Sequence, residues 1–332
     1  MKEGFKKYSD IIKWIIILVI LVIVYFWKQK DINSALEEIK GLPVYISALL
    51  WVLGLMYFVM EGGVIALLTR HEEHTLSWIR GVQCSFYCAF YKLITLAMGS
   101  GAAEVYFLSS RGTMAGRAAG LCMLQYSLHK VAVTVYGVLS FVVLYAMGVG
   151  SVLEYKWWIM LGAAASLLIA AGIMVLAVSC RINSLLVRLV HLVMDKHFAA
   201  AAEKLDYQLV RLREMGRDVI SHPGECVLIV LLHLVKMLFW YMIPGAVLSY
   251  TSSGSIVLCM ALMAVANMLG AVMVSPAGMG TLEFVVTLLF GDMFGNSAVT
   301  VAILYRFMTM IAPFIVGTVV VATYKGGKNV RD

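Results

Sequence analysis

The chain has 332 residues, of which 62% are hydrophobic and only 14% charged, with a mean hydropathy of +0.90; a soluble globular domain is roughly half apolar and about a quarter charged. This composition, with apolar runs of bilayer-crossing length, describes an all-α integral membrane protein and argues against collagen-like, coiled-coil, disordered and disulfide-rich secreted classes. The net charge of +7 suits loops that face anionic lipid, so no nucleic-acid partner is needed to explain it.

The first run, Ile11 to Trp27, follows Lys2, Lys6 and Lys7, includes Lys13, and is followed by Lys28-Gln29-Lys30. A signal peptide would end at small residues, so a retained first span is expected. Further runs occupy 44 to 68, 81 to 98, 118 to 147, 157 to 180, 223 to 249, 256 to 274 and 298 to 323. Two of them lead into helix-breaking sequence. Gly99-Ser100-Gly101-Ala102-Ala103-Glu104 follows the first, and Ser275-Pro276-Ala277-Gly278-Met279-Gly280-Thr281-Leu282-Glu283 follows the second. Both contain G-x-G-x-x-E. Non-helical backbone at membrane depth survives only inside protein or beside water, so 81–110 and 256–294 are expected to be hairpins that enter the membrane and turn back.

The remaining six segments would cross. Eighteen of the 26 basic residues then fall on one side, four on the other (Lys28, Lys30, Lys40, Lys156) and four at membrane depth. The positive-inside rule makes the rich side, with both termini, cytoplasmic. The two hairpins would enter from opposite faces, which predicts an inverted repeat: an N-terminal half over 1–180, an amphipathic cytoplasmic connector over 181–222, and a C-terminal half over 223–332. Within the connector, Leu185, Leu189, Val193, Leu205 and Leu212 recur at helical steps. That pattern suits a helix lying on the inner headgroup layer or a helical hairpin packed on the spans. Inverted repeats are a common plan for transporters, with the substrate site at the broken helices.

Charged side chains at membrane depth are functional candidates by default. They are Glu61, Lys92, Glu104, Lys130, Lys236, Glu283 and Arg306, with His129 and His233 as polar companions. Glu104 and Glu283 lead, because Gly99, Gly101, Gly278 and Gly280 would expose helix N-terminal amides to a lipid phosphate while the carboxylates take a cation. Arg306 and Lys130 are candidate phosphate partners, or structural partners of those glutamates. Glu61, ahead of Gly62-Gly63, is a further candidate. Lys92 and Lys236 have stems long enough to snorkel to an interface.

Other chemistry finds little support. The six cysteines mostly lie in apolar runs, Cys84 and Cys88 lack partners at zinc-ligand spacing, and His71-Glu72-Glu73-His74 has its histidines three apart instead of the four of a zinc protease. No metal or cofactor is expected. There is no G-x-S-x-G, H-E-x-x-H or P-loop.

At these residues the chain resembles the transmembrane-region family of lysylphosphatidylglycerol synthases, the flippase part of the bacterial multiple peptide resistance factor and its free-standing relatives. The likeness spans roughly 10 to 325. It is most specific at Ser275 to Glu283 followed by Arg306; Gly101-Ala102-Ala103-Glu104 resembles an earlier glycine-glutamate block but has an Ala-Ala spacer. The resemblance implies a multi-pass bacterial plasma-membrane protein that moves aminoacylated (lysyl-) phosphatidylglycerol, or a related lipid with a cationic or zwitterionic headgroup, to the outer leaflet. That movement lowers affinity for cationic antimicrobial peptides. Full-length members add a soluble synthase domain, for which the stretch after the last span leaves no room. A separate lysyltransferase partner, an integral-membrane lipid-modifying enzyme and a homo-oligomer are the other readings left open.

Overall fold

The computed structural model describes residues 39–95, 99–178, 221–251, 254–270 and 280–324, with three isolated positions (29, 33 and 37) before them. Among these residues every regular element is helical. The elements are α1 (Val44–Leu68), α2 (Trp78–Ile94), α3 (Ser100–Ser109), α4 (Ala115–Ala146), α5 (Gly150–Glu154), α6 (Lys156–Val178), α7 (Pro223–Thr251), α8 (Ile256–Gly270), α9 (Thr281–Phe294), α10 (Ser297–Arg306) and α11 (Ala312–Thr323). A π-helical turn, Phe307–Ile311, joins α10 to α11. The expected first span over 11–27, all but the last two residues of the connector over 181–222, and residues 271–279 lie outside the described residues.

Five helices are long and apolar enough to cross a membrane: α1, α4, α6, α7 and the continuous α10–α11 rod. Crossing a hydrocarbon core takes about 20 residues at 1.5 Å of rise each, which each of them supplies. They coincide with five of the six expected crossings. The two glycine-containing segments are indeed interrupted, as α2 with α3 and as α8 with α9, and the arms of each pair pack against one another.

The position of the first interruption differs from expectation. The helix ends at Ile94 and restarts at Ser100, so Gly101 and Glu104 lie inside α3 and not at a turn. At the end of α2 the Thr95 hydroxyl donates to the Tyr91 carbonyl (2.6 Å) and accepts from the Gly99 amide (2.8 Å), tying that end to the residue that precedes α3.

Helix order and pairing recur along the chain. A span (α1), two arms (α2, α3) and a span (α4) are followed later by a span (α7), two arms (α8, α9) and a span (α10–α11). In each set the first span packs on the first arm and the second arm on the second span. Each first arm also packs on the other set's second span, α2 on α11 and α8 on α4, while α1 packs along α7. Helix α6 packs on α4 and α8, and its exposed Trp157, Trp158, Leu161 and Leu168 point away from the protein. On an apolar rod with no water-facing polar stripe, such a face suits lipid.

Two large apolar cores and a small aromatic cluster between them on α1 and α2 (Tyr57, Phe58, Phe86, Ala89) fill the interior. One core gathers Leu50, Leu53, Val133, Met237, Ile243, Met263, Val285, Phe290 and Leu304; the other gathers Val64, Ile65, Phe90, Phe107, Leu121, Leu124, Leu128, Ile229 and Phe314. Helices α1, α4 and α7 run through both, as does the α10–α11 rod. On α1 the change of core falls between Leu53 and Val64, on α4 between Leu128 and Val133, and on α7 between Ile229 and Met237. Glu61, His129, His233 and Lys236 occupy these three intervals, and Gln125 lies one turn before the change on α4. Close backbone approach near this level depends on glycine, since a Cβ on Gly62 would collide with the Val82 backbone of α2 and one on Gly81 with the Gly62 carbonyl. Bulk at either position would push α2 off α1.

Candidate functional site

The polar layer is organised around Glu61. Its carboxylate forms an ion pair with the Lys236 ammonium and accepts a hydrogen bond from Gln125 Nε2 at 2.9 Å. His233 Nδ1 lies 4.0 Å from the same carboxylate, and the His129 ring stands edge-on to His233 with 5.3 Å between centroids. Lys236 is fully buried. It does not snorkel: α7 points it at α1, and its ammonium rests 4.8 Å from the centre of the Tyr57 ring. A buried ammonium without a carboxylate would be prohibitively costly, so the Glu61–Lys236 pair neutralises both charges across the α1–α7 contact. Tyr57 in turn stacks on Trp240 at 3.6 Å, and Lys92 lies over the other end of this aromatic pair, 5.9 Å from Trp240.

A cavity of about 550 Å³ opens beside this cluster. Its polar wall comprises Glu61 from α1, Lys92 from α2, Ser100, Gly101 and Glu104 from α3, and Gln125 and His129 from α4. Four helices thus converge, and Trp240 of α7 and Ile173 of α6 complete the lining. The α3 N-terminus reaches the cavity through Ser100 and Gly101, so its first turn of amides contributes positive potential there. In size the cavity lies within the range of small-molecule sites. Its mixture of carboxylates, an ammonium, amide dipoles and aromatic faces suits a polar group that carries both signs of charge.

Glu283 and Arg306 form a separate centre. Arg306 Nε lies 2.9 Å from Glu283 Oε1, which joins the first turn of α9 to the last residue of α10. Glu283 Oε2 is buried with no hydrogen-bond partner among the described residues. Directly after Arg306 the helix widens into the π-turn, four residues of which precede Pro313 by six to three positions. Proline lacks an amide hydrogen and crowds the carbonyl four residues back, and a single π-turn absorbs that misfit. The Met308 carbonyl within it lies so close to α1 that Gly54 has no room for a Cβ.

The expected site residues therefore divide. Glu61, Glu104 and Gly101 line one cavity; Gly99 caps the helix that carries two of them. Glu283, Arg306 and Gly280, the last with φ +79°, belong to the second interruption, whose Gly278 lies outside the described residues. Lys130 does not line the cavity itself but stands over the ring of Tyr126, which does, at 5.4 Å. Lys236, Lys92, Gln125, His129, His233, Tyr57 and Trp240 complete the cavity and the cluster beside it. Their position at the change between cores was the signal, but hydropathy alone does not say which face of a span meets a partner.

The His71-Glu72-Glu73-His74 stretch is a tie between helices. His71 Nε2 meets the Glu225 carboxylate at 2.9 Å, and Arg117 grips Glu72 with Nε and Nη2 at 2.8–3.0 Å. Among the described residues no group of three or more His, Cys, Asp or Glu side chains is placed to hold a metal ion.

No curated protein matches this chain. The family model of the lysylphosphatidylglycerol synthase TM region matches residues 11–317. With its helices long enough to span a bilayer, the chain is a multi-pass membrane protein, and it belongs to the lysylphosphatidylglycerol synthase TM region family.

Proposed function

We propose that this protein is a phospholipid flippase, moving aminoacylated (lysyl-) phosphatidylglycerol or a related lipid from the inner to the outer leaflet of a bacterial plasma membrane. The supporting observation is the 550 Å³ cavity at the level where the two apolar cores meet, lined by Glu61, Lys92, Glu104 and Gln125. Charges kept at that depth have a use if a headgroup must pass, and acyl chains can stay in lipid meanwhile. Exposing cationic lipid outside would reduce the attraction of cationic antimicrobial peptides.

In this proposal the recurring order of span, arm, arm, span is an inverted repeat, with α1 and α7 as equivalent spans at its centre and the termini cytoplasmic. Glu104 and Glu283 sit on equivalent second arms. Alternation between inward- and outward-open arrangements then presents the headgroup to each leaflet in turn, one repeat rocking against the other. Arg306 and Glu283 hold the second interruption together in the described arrangement, and they separate to admit the headgroup in the opposite one.

The test is leaflet exchange of acyl-labelled phosphatidylglycerol and its lysyl ester in liposomes containing purified protein. Exchange of the lysyl ester that slows about tenfold in Glu283→Gln is expected, equivalent to one charge-assisted contact of roughly 1.4 kcal/mol. Wild-type liposomes that exchange no phospholipid, phosphatidylethanolamine included, above protein-free ones refute the flippase.

A further inference from the structure

The charges around the cavity do not all remain available to a ligand. Glu61 is satisfied twice over, by Lys236 and by Gln125, and Arg306 is held by Glu283. Of the cavity-lining residues, Lys92 and Glu104 are the charged ones that take part in no ion pair among the described residues. They come from the two arms of one hairpin, α2 and α3, and face the same 550 Å³ space. Lys92 stands over the Trp240 face and feels the Glu61 carboxylate only at longer range, with no ion pair between them among the described residues. Beside Glu104, the first turn of α3 brings Ser100 and Gly101 to the wall.

From this count we infer that the cavity selects a net-neutral headgroup carrying one phosphate and one ammonium, with Lys92 taking the phosphate and Glu104 the ammonium. The inference rests on the flippase proposal and narrows its substrate class. One cation and one anion are matched by one anion and one cation, leaving no charge desolvated without a partner. A headgroup with a phosphate and two ammoniums, such as the lysyl ester, brings one cation too many. That second ammonium would have to break Glu61 away from Lys236, stranding a fully buried lysine. A headgroup with a phosphate alone leaves Glu104 desolvated and unmatched. The α3 amides add to the pull on phosphate, and the Lys92 ammonium stands over the Trp240 ring that lines the same cavity.

Three acyl-labelled probes discriminate the cases in liposomes holding the full chain: phosphatidylethanolamine (one phosphate, one ammonium), phosphatidylglycerol (phosphate alone) and its lysyl ester (one phosphate, two ammoniums). Phosphatidylethanolamine is expected to exchange about tenfold faster than either of the others, the effect of one unmatched charge. Glu104→Gln should erase its advantage over phosphatidylglycerol. Lys92→Gln should slow all three lipids, with recovery in Lys92→Arg. Equal wild-type rates, or a preference for the lysyl ester, overturn the inference while leaving the flippase standing.

Binding is read separately, as the rise in melting temperature of detergent-purified protein with short-chain versions of the same lipids. Stabilisation by the ethanolamine lipid that is lost in Glu104→Gln, without any leaflet exchange, upholds the recognition site and removes the flippase. Should Glu104→Gln fail to fold, the double charge exchange Lys92→Glu with Glu104→Lys keeps the one-to-one count and is expected to retain the preference. Neither stabilisation nor exchange in the wild type refutes both.

Discussion

The two helix interruptions carry the same spacing, G-x-G-x-x-E, yet restart their second arms at different glycines. In the first, Gly99 precedes the helix, and Glu104 stands a full turn inside α3. In the second, Gly280 precedes it, and Glu283 falls in the first turn of α9. The electrostatic consequences diverge. Glu283 is close to the positive end of its helix and pairs with Arg306 at 2.9 Å, whereas Glu104 faces a cavity. One copy of the motif has become a joint between helices, and the other presents its charge to whatever enters. A repeated motif therefore does not imply a repeated role, because the role depends on what the neighbouring span supplies: the Arg306 cation for the second copy, the uncharged Cys122 side chain for the first.

The largest expected effect comes from the charge pair that joins the spans preceding the two interruptions, α1 and α7. Lys236→Met strands Glu61 in the layer between the cores, and breaking a buried pair from one side costs about 3–5 kcal/mol. A large fall in melting temperature in detergent is expected. Adding Glu61→Gln should recover much of it, since an amide can still accept from Gln125 and requires no counter-charge. If Lys236→Met melts like wild type, the pair is not what holds α1 to α7.

Next in size is the comparison of the two glutamates themselves. Arg306→Ala leaves Glu283 without its cation and is expected to cost about 1–3 kcal/mol, with recovery on adding Glu283→Gln. Glu104→Gln removes no ion pair and should stay within about 0.5 kcal/mol of wild type, while altering lipid selectivity. Equal destabilisation by the two changes would mean that Glu104 is as structural as Glu283. Thr95→Val, which removes the hydroxyl that closes the first interruption, belongs between them at about 1 kcal/mol.

Much of the fold is legible from apolar run lengths. The five described spans begin and end within a few residues of the hydropathy runs, because a helix that must satisfy its own backbone in lipid leaves the chain few options. What hydropathy could not supply is direction around the helix axis. Lys236 reads as a snorkelling lysine because Leu234, Val235 and Met237 surround it in sequence, and only the packing of α7 on α1 turns it inward. Its partner Glu61 is 175 positions away. The glycine motif is visible, but α2 already ends at Ile94, and the side-chain bonds of Thr95 to Tyr91 and Gly99 leave no trace in a glycine pattern. Lys130 shows a finer limit: its depth in the sequence run is the same as that of His129, yet one position around the helix takes it out of the lining and leaves it over the ring of Tyr126 at the cavity's edge.

The finest comparison uses the second glycine of each motif copy. Gly280 has φ +79°, a left-handed conformation that costs an L-residue about 1–2 kcal/mol. Gly101 is helical, and a Cβ there would meet no atom within 4 Å. Gly280→Ala should therefore destabilise by about 1 kcal/mol or more, while Gly101→Ala should gain about 0.5–1 kcal/mol from better helix propensity and a less free unfolded chain. Opposite signs from the same substitution at the same motif position would establish that the two copies make different turns. A loss at both would instead place Gly101 in a strained turn, and with it Glu104 at the start of α3, restoring to the two interruptions the likeness their spacing suggests. Melting temperatures of the two alanine variants, measured side by side in one detergent, decide between these outcomes, and because neither substitution touches a charge the answer is independent of what the cavity binds.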